Sequence, residues 1–298
     1  MNLNKVLTGA DPISFVKLTK RLMFAIRYLV LIVGTVTFLI PLIWTISGSL
    51  KDSGEIFTVP IKWIPTVWKW ENYVTLLDRF PVFIYVTNTL TIVCFVLVGL
   101  LCSTIFVAYG FARFRHRLNN ILFIAVLAVL MIPEQVLLIP QFLMYKEFHW
   151  INTYLPLIVP SFFAAGFNGA YAIFLIRQFI LSLPRELDES ATMDGCSSFG
   201  ILIRIITPLC KPILITIAIL TIAYQWNDFL NPLIYLNDPE KFTLQIGIYS
   251  LNGGKFGVTD FGMLFAATIL ALIPNVIIFA LGQKYFMNGI KITGAIKG

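Results

Sequence analysis

Charged side chains are scarce in this sequence: Asp, Glu, Lys and Arg make up 12% of its 298 residues, and there are two histidines. A soluble domain carries about 25% charged residues. The shortage, with 58% hydrophobic residues and a mean hydropathy of +0.85, excludes a water-soluble globular fold. His116 and His149 fall on opposite sides of the bilayer in the topology below, and the sequence has no H-E-x-x-H, no G-x-S-x-G and no metal-binding cluster. Cysteine is equally uninformative. Cys94 and Cys102 lie in an apolar run and Cys196 and Cys210 flank a polar stretch, with no C-x-x-C pair, so neither a disulfide framework nor a zinc site is signalled. A nucleotide site is missing too. Its nearest approximation, Asn252-Gly253-Gly254-Lys255-Phe256, has no glycine five residues before Gly254 and no Ser or Thr after the lysine. The chain therefore reads as no enzyme, with no metal or cofactor of its own, and any ATP with its Mg must sit on another polypeptide.

Long apolar runs are what the sequence does have. A spanning helix needs about 20 predominantly apolar residues, and six stretches qualify: 27–48, 83–112, 119–145, 153–176, 211–236 and 261–284. The sequence thus predicts an all-α polytopic membrane protein with six transmembrane helices. It divides into an N-terminal segment 1–26, a membrane domain 27–284 that includes the loop 177–210, and a tail 285–298. Six is even, so both termini face one side, and Lys and Arg accumulate in the cytoplasm. Fifteen of the 22 basic residues fall on the side of the termini and the 177–210 loop and seven on the other, which makes the termini cytoplasmic. Those loops also account for the net charge of +7, so nucleic acid is not an expected partner. Segment 1–26 precedes an apolar run with no small-residue cleavage site after it and reads as a retained tail, not a signal peptide. Trp63, Trp68 and Trp70 in the outer loop 49–82, with Trp44 and Trp150 near span ends, match an aromatic belt against the lipid bilayer. Pro41, Pro133, Pro140, Pro156, Pro160 and Pro274 lie within spans, where each is expected to kink or interrupt its helix. In lipid that is tolerable only against protein or a wet cavity. A bundle around a pathway and a bundle of merely kinked helices both fit.

The few carboxylates are concentrated. The stretch ELDESATMDG, residues 186–195, holds four of them, in a solvated loop where no buried partner would tune a catalytic pair. It reads as a short helix with Pro184 in its first turn. Glu186, Asp188 and Glu189 sit at the positive end, each stabilised by about 0.3–1 kcal/mol. Gly195 fits the left-handed C-terminal position. Ser197 or Ser198 then caps a second helix through Phe199–Ile206, which Pro208 and Pro212 bend toward the fifth span. Leu187 and Ala191 share one face of the first helix, kept thin by Ser190 and Gly195. Docking into a groove of another protein and a plain capped surface loop both fit these features.

The run Glu189-Ser190-Ala191-x-x-x-Gly195, nine residues, then Ile205-x-Thr207-Pro208 resembles the E-A-A-x3-G-x9-I-x-L-P signature of ABC importer membrane subunits, departing at Ser190 and Thr207. Further pieces are similar to the carbohydrate-permease branch, in particular the smaller membrane subunit of maltose-type importers. They are Pro41-Leu-Ile-Trp44 with Ser49-Leu50-Lys51, Asn88-Thr89-Leu90, Ala108-Tyr-Gly-Phe-Ala-Arg113, Met131-Ile-Pro133 with Ile139-Pro140, Arg177-Gln178-Phe179, Trp226-Asn-Asp-Phe-Leu-x-Pro232 and Gly294-Ala295-x-Lys297-Gly298. The resemblance implies the type I ABC importer permease architecture in the plasma membrane of a prokaryote. It implies a second, homologous permease subunit, two copies of a cytoplasmic ABC ATPase, and an extracytoplasmic solute-binding protein delivering a carbohydrate. Glu186, Leu187, Glu189, Ser190, Ala191, Asp194 and Gly195 would then form a coupling segment docked on the ATPase, with the C-terminal tail as a second contact.

Polar residues within spans are the pathway candidates, because lipid makes them costly. They are Glu134 and Gln135, Asn168, and the fifth-span group Gln225, Trp226, Asn227 and Asp228, with Asn231 and Asn275 as further polar positions. An aromatic face beside hydrogen-bonding groups suits a sugar ring; hydrogen bonding between helices is the other use for the same residues. Two other cargo readings remain: a polyol or glycerophosphodiester importer, and a proton-coupled transporter working through Glu134 and Asp228.

Overall fold

The structure is a computed structural model that describes residues 12–252 and 260–294, with side chains omitted for 12–19, Phe167 and 284–294. It is helical, with no strand among the described residues. The principal helices are α1 (Pro12–Ser49), α2 (Glu71–Arg79), α3 (Val82–Arg113), α4 (Asn119–Val129), α5 (Glu134–Glu147), α6 (Gly166–Leu181), α7 (Glu186–Met193), α8 (Lys211–Trp226), α9 (Leu230–Tyr235) and α10 (Phe261–Gly294).

Four helical stretches are long and apolar enough to cross a membrane, and six if each of two bent pairs counts as one span. The bent pairs are α4 with α5, at 96°, and the 198–209 segment with α8, at 74°. Span ends differ from the sequence expectation where side-chain hydropathy is silent about the backbone. Helix α1 begins at Pro12, so half of the expected N-terminal tail continues the first span. Helix α6 runs on to Leu181, which takes Arg177 out of the expected loop and into the span. The fifth span was expected to reach residue 236, but α8 stops at Trp226 and α9 resumes at Leu230. At the chain's end α10 carries helical backbone to Gly294, while 295–298 of the tail and the segment 253–259 lie outside the described residues.

Proline acts unevenly. Pro41, Pro140 and Pro274 are absorbed within continuous helices, whereas Pro133 stands at the α4–α5 corner as the residue before α5. Pro156 and Pro160 occupy first-turn positions of a short helix and a 3-10 turn, where a missing N–H costs nothing.

Helix α3 is the central post, packed by α6 and α8, while α1 lies along α10 and α10 along α8 and α2. Two apolar clusters form at its ends. One joins Tyr109 and Ala112 of α3 to Ile176 and Ile180 of α6, Ile201, Ile206 and Ile217. The other joins Tyr85 of α3 to Leu76, Phe80, Trp226, Leu244 and Ala267. Several resemblance motifs are explained by the joints they make. Asn88 donates to the carbonyls of Glu240 and Phe242 (2.8 and 3.0 Å), and the Thr89 hydroxyl accepts from the Leu244 N–H at 2.9 Å. Lys51, almost fully buried, lies 4.9 Å from the Trp44 ring and donates to the Lys62 carbonyl. Asn72 donates to the carbonyls of Ser49 and Lys51 (2.9 and 2.8 Å).

Candidate functional site

The broken helices surround a cavity of about 420 Å³. One wall is α5, whose turns place Glu134, Leu138, Gln141 and Tyr145 on one face. The second wall is the break before α6. There Ala164 is left-handed at φ 51° and Gly166 follows at φ 73°, with Ala165 and Gly166 on the cavity surface. The break is held tightly: a Cβ on Gly169 would lie 2.0 Å from the Ala164 carbonyl oxygen, so only glycine lets that carbonyl seat against the first turn of α6. The third wall is the gap between α8 and α9, with Gln225, Asp228, Asn231 and Tyr235.

Polar groups are anchored where the helices break. The Tyr224 hydroxyl donates to Glu134 at 2.8 Å, bridging α8 and α5. Asp228 accepts from the Asn231 backbone N–H at 3.3 Å and from its amide at 3.1 Å, capping the start of α9. At one end of the cavity Tyr145 stacks on Trp150 (5.7 Å, 18°) and meets Tyr235 edge-on at 5.3 Å. Asn152 ties this end together: its N–H donates to the Tyr235 carbonyl at 2.7 Å, and its side-chain oxygen accepts from the N–H groups of Asn237 and Asp238 at 3.1 and 3.0 Å.

The predicted pathway residues divide. Glu134, Gln225 and Asp228 share the cavity wall. Gln135 lies with Glu134 and Tyr224 on a smaller adjoining hollow. Trp226 is a correction: it is buried, donating its indole N–H to the Ala271 carbonyl at 3.0 Å, so it is a structural strut and offers no stacking face. Asn227 lies off this cavity, exchanging hydrogen bonds with Asn275 at 3.0 and 3.3 Å on a separate hollow that Thr45 and Gln245 also line. Asn168 is half-buried near the start of α6 and off the cavity wall. Gln141, Tyr145 and Trp150 join the site unannounced. The i, i+3/i+4 spacing of Glu134, Leu138, Gln141 and Tyr145 is the sequence signal that marks the first two.

The second candidate is α7. Its N-terminus begins at Arg185, whose carbonyl accepts from the N–H groups of Asp188 and Glu189 (2.9 and 3.1 Å). Pro184 therefore stands just outside the helix, not in its first turn. The C-terminus closes as expected: Gly195 has φ 82°, its N–H donates to the Thr192 carbonyl, and the Cys196 N–H donates to Ala191 at 2.9 Å. Ser197 caps the next helix by accepting from the Gly200 N–H at 3.2 Å. That helix widens to a π-turn over Leu202–Ile206, with the Thr207 hydroxyl closing on the Leu202 carbonyl at 2.8 Å.

Burial corrects which face of α7 is free. Ala191 is 6% exposed and packs into the chain's own core, so the face expected to meet a partner is turned inward there. Glu186, Glu189, Ser190, Asp194 and Gly195 are exposed, with Leu187 at 36% and Met193 at 88%. Asp188, expected only to sit at the positive end of this helix, fastens it to α3: its Oδ2 lies 2.7 Å from Arg113 Nε, and Arg113 also donates to the Leu183 carbonyl at 3.2 Å. Among the described residues no group of His, Cys, Asp and Glu is arranged to hold a metal ion.

Interrupted apolar helices around a polar cavity, with a capped amphipathic helix fastened to the bundle, define a multi-pass membrane transport subunit. The comparisons specify the family. Residues 99–291 match the family described as binding-protein-dependent transport system inner membrane component, and the chain belongs to it. It is a permease subunit of an ABC importer. It is 36% identical to the arabinooligosaccharides transport system permease protein AraQ of Bacillus subtilis over 88% of this chain and 91% of that one. It is 29% identical to the sn-glycerol-3-phosphate transport system permease protein UgpE of Yersinia pestis, over 88% and 94%. The fold matches the crystal structure of a bacterial ABC transporter involved in the import of the acidic polysaccharide alginate, with a TM-score of 0.79 at 22% identity, covering 90% of this chain and 98% of that one.

Proposed function

We propose that this subunit forms half of a pathway for an oligosaccharide, released to it by an extracytoplasmic binding protein and driven by ATP hydrolysis on partner chains. The observation that carries the cargo assignment is the cavity wall, where Gln141, Gln225, Asn231 and Asp228 face the same space as Tyr145 and Trp150. Amides and carboxylates pair with sugar hydroxyls, and flat aromatic faces take the apolar side of a ring. The 36% identity to an arabinooligosaccharide permease supports the same class.

In this reading both termini are cytoplasmic, and α7 seats against a cytoplasmic ATPase of which two copies serve the complex, with Mg and ATP bound there. Met193 and Leu187 supply exposed apolar contacts within an acidic rim of Glu186, Glu189 and Asp194. A second, homologous permease chain completes the pathway. Movement of α7 reaches the cavity through Arg113 on α3 and through the π-turn leading into α8. Differential contacts in two states are what would make that movement directional.

The test is uptake of arabinotriose by proteoliposomes holding the complete complex. Uptake should require ATP and the binding protein. Accumulation driven by a proton gradient with the ATPase absent would sink the reading. Gly195→Pro removes an N–H that donates to Thr192 and forbids φ near +82°. That variant should reach the membrane and lose the ATPase on purification; normal uptake would refute the docking role.

A further inference from the structure

Two short helices begin at this cavity, and a helix N-terminus is where an anionic ligand would ordinarily find its donors. Here a carboxylate of the chain stands beside each helix start. Glu134 is the first residue of α5, and Asp228 caps α9 through the Asn231 N–H. No Lys, Arg or His lies on the cavity wall among the described residues, and the remaining polar lining is amide and phenol: Gln141, Gln225, Asn231, Tyr145 and Tyr235. A carboxylate or phosphate entering this space would meet two fixed carboxylates and no cation. An uncharged polyhydroxyl ligand would meet acceptors for its hydroxyls and an aromatic end wall.

Resting on the oligosaccharide reading above, we infer that this subunit selects by charge: Glu134 and Asp228 admit neutral glycans and reject anionic ones, uronates and phosphate esters included. Selectivity of this kind works by penalising the wrong cargo more than by favouring the right one. Glu134 is the better probe. Asp228 also holds α9 in place, whereas Glu134 receives a single side-chain hydrogen bond, from Tyr224.

The experiment compares arabinotriose with the aldonate made by oxidising its reducing end, a pair differing chiefly by one carboxylate. Uptake by the reconstituted complex is measured at ligand concentrations that give equal occupancy of the binding protein, so that selection by that protein drops out of the ratio. The wild-type complex should carry the neutral sugar at least tenfold faster. Glu134→Gln should raise the anionic-to-neutral ratio about tenfold, as expected for removal of one nearby charge in a partly desolvated site. Glu134→Asp, which keeps the charge, should leave the ratio as in wild type and so separates charge from packing. A wild-type ratio within twofold of one, or a ratio that Glu134→Gln does not move, overturns the charge selection and leaves the oligosaccharide reading standing. Failure of wild type to carry either sugar overturns that reading, and this inference with it.

Discussion

Breaking the Arg113–Asp188 pair should unfasten α7 from the bundle. The pair is nearly dry, with Arg113 and Asp188 side chains 8% and 18% exposed and Nε to Oδ2 at 2.7 Å. Removing one partner of a fully buried pair costs about 3–5 kcal/mol. Asp188 keeps some water and so lowers that figure, and Arg113→Ala is expected to cost about 2–3 kcal/mol. Part of the cost is the Leu183 carbonyl losing its donor. Asp188→Asn should cost about 1–2 kcal/mol, because it removes the charge facing Arg113 while the Arg113 donation to the Leu183 carbonyl persists. The assay is a double-mutant cycle on thermal unfolding of the purified complex, with binding-protein-stimulated ATP hydrolysis followed in parallel. Coupling of about 1–2 kcal/mol is expected, the double variant being less damaged than the two singles summed. Stimulated hydrolysis should fall while basal hydrolysis persists. Additivity within about 0.5 kcal/mol would refute a direct link, and full stimulation in both single variants would refute its mechanical role.

Gly169→Ala forces a methyl group to within 2.0 Å of the Ala164 carbonyl oxygen and should destabilise the break before α6 by about 3 kcal/mol; folding at wild-type yield and melting temperature would contradict that account. Gly195→Ala keeps the Thr192 hydrogen bond but places a side chain at φ 82°, so a loss of about 1–2 kcal/mol with ATPase binding retained is expected in thermal unfolding and co-purification, and an unchanged melting temperature would contradict it. The 52–66 loop should loosen only in acid. Donation from the Thr66 hydroxyl and N–H holds the Glu55 carboxyl below its usual range, and the Gly54 N–H with Lys69 does the same for Asp52. Folded values below the unfolded ones give a contribution that is whole above about pH 4 and fades as pH falls through the lowered values. Trp63 fluorescence should therefore be flat from about pH 8 to 5 and change below, and a transition near neutrality would exclude these carboxyls as its cause.

Hydropathy made the number of apolar stretches legible, because lipid forces every spanning residue to declare its polarity. It did not show where the backbone turns inside a stretch. Proline marked Pro133 as a possible interruption without giving its 96° angle, and the left-handed Ala164 has no such mark in the sequence. Glycine, serine and acid placement made the capped α7 readable, since caps are local chemistry written within a few residues. Which face of α7 is free was not local. Ala191 is small enough to meet a partner's groove or its own core, and the choice rests on Arg113, far away in sequence, drawing Asp188 and that face inward. The placing of Trp226 and Asn227 off the main cavity was hidden for a related reason: each has its partner on α10, and nothing in the run Tyr224–Asp228 records where α10 lies.

The wide turn at Leu202–Ile206 sets an angular phase. Each α-helical residue advances the chain by about 100°, so one residue lost from that turn would rotate α7 about the axis of the 198–209 segment that leads into α8. The orientation of α7 relative to the cavity wall of Gln225 and Asp228 would change with it. Spacing between those two surfaces is thus a quantity in its own right, less forgiving of insertion or deletion than of substitution, and a permease of this design tolerates a changed letter there better than a changed count.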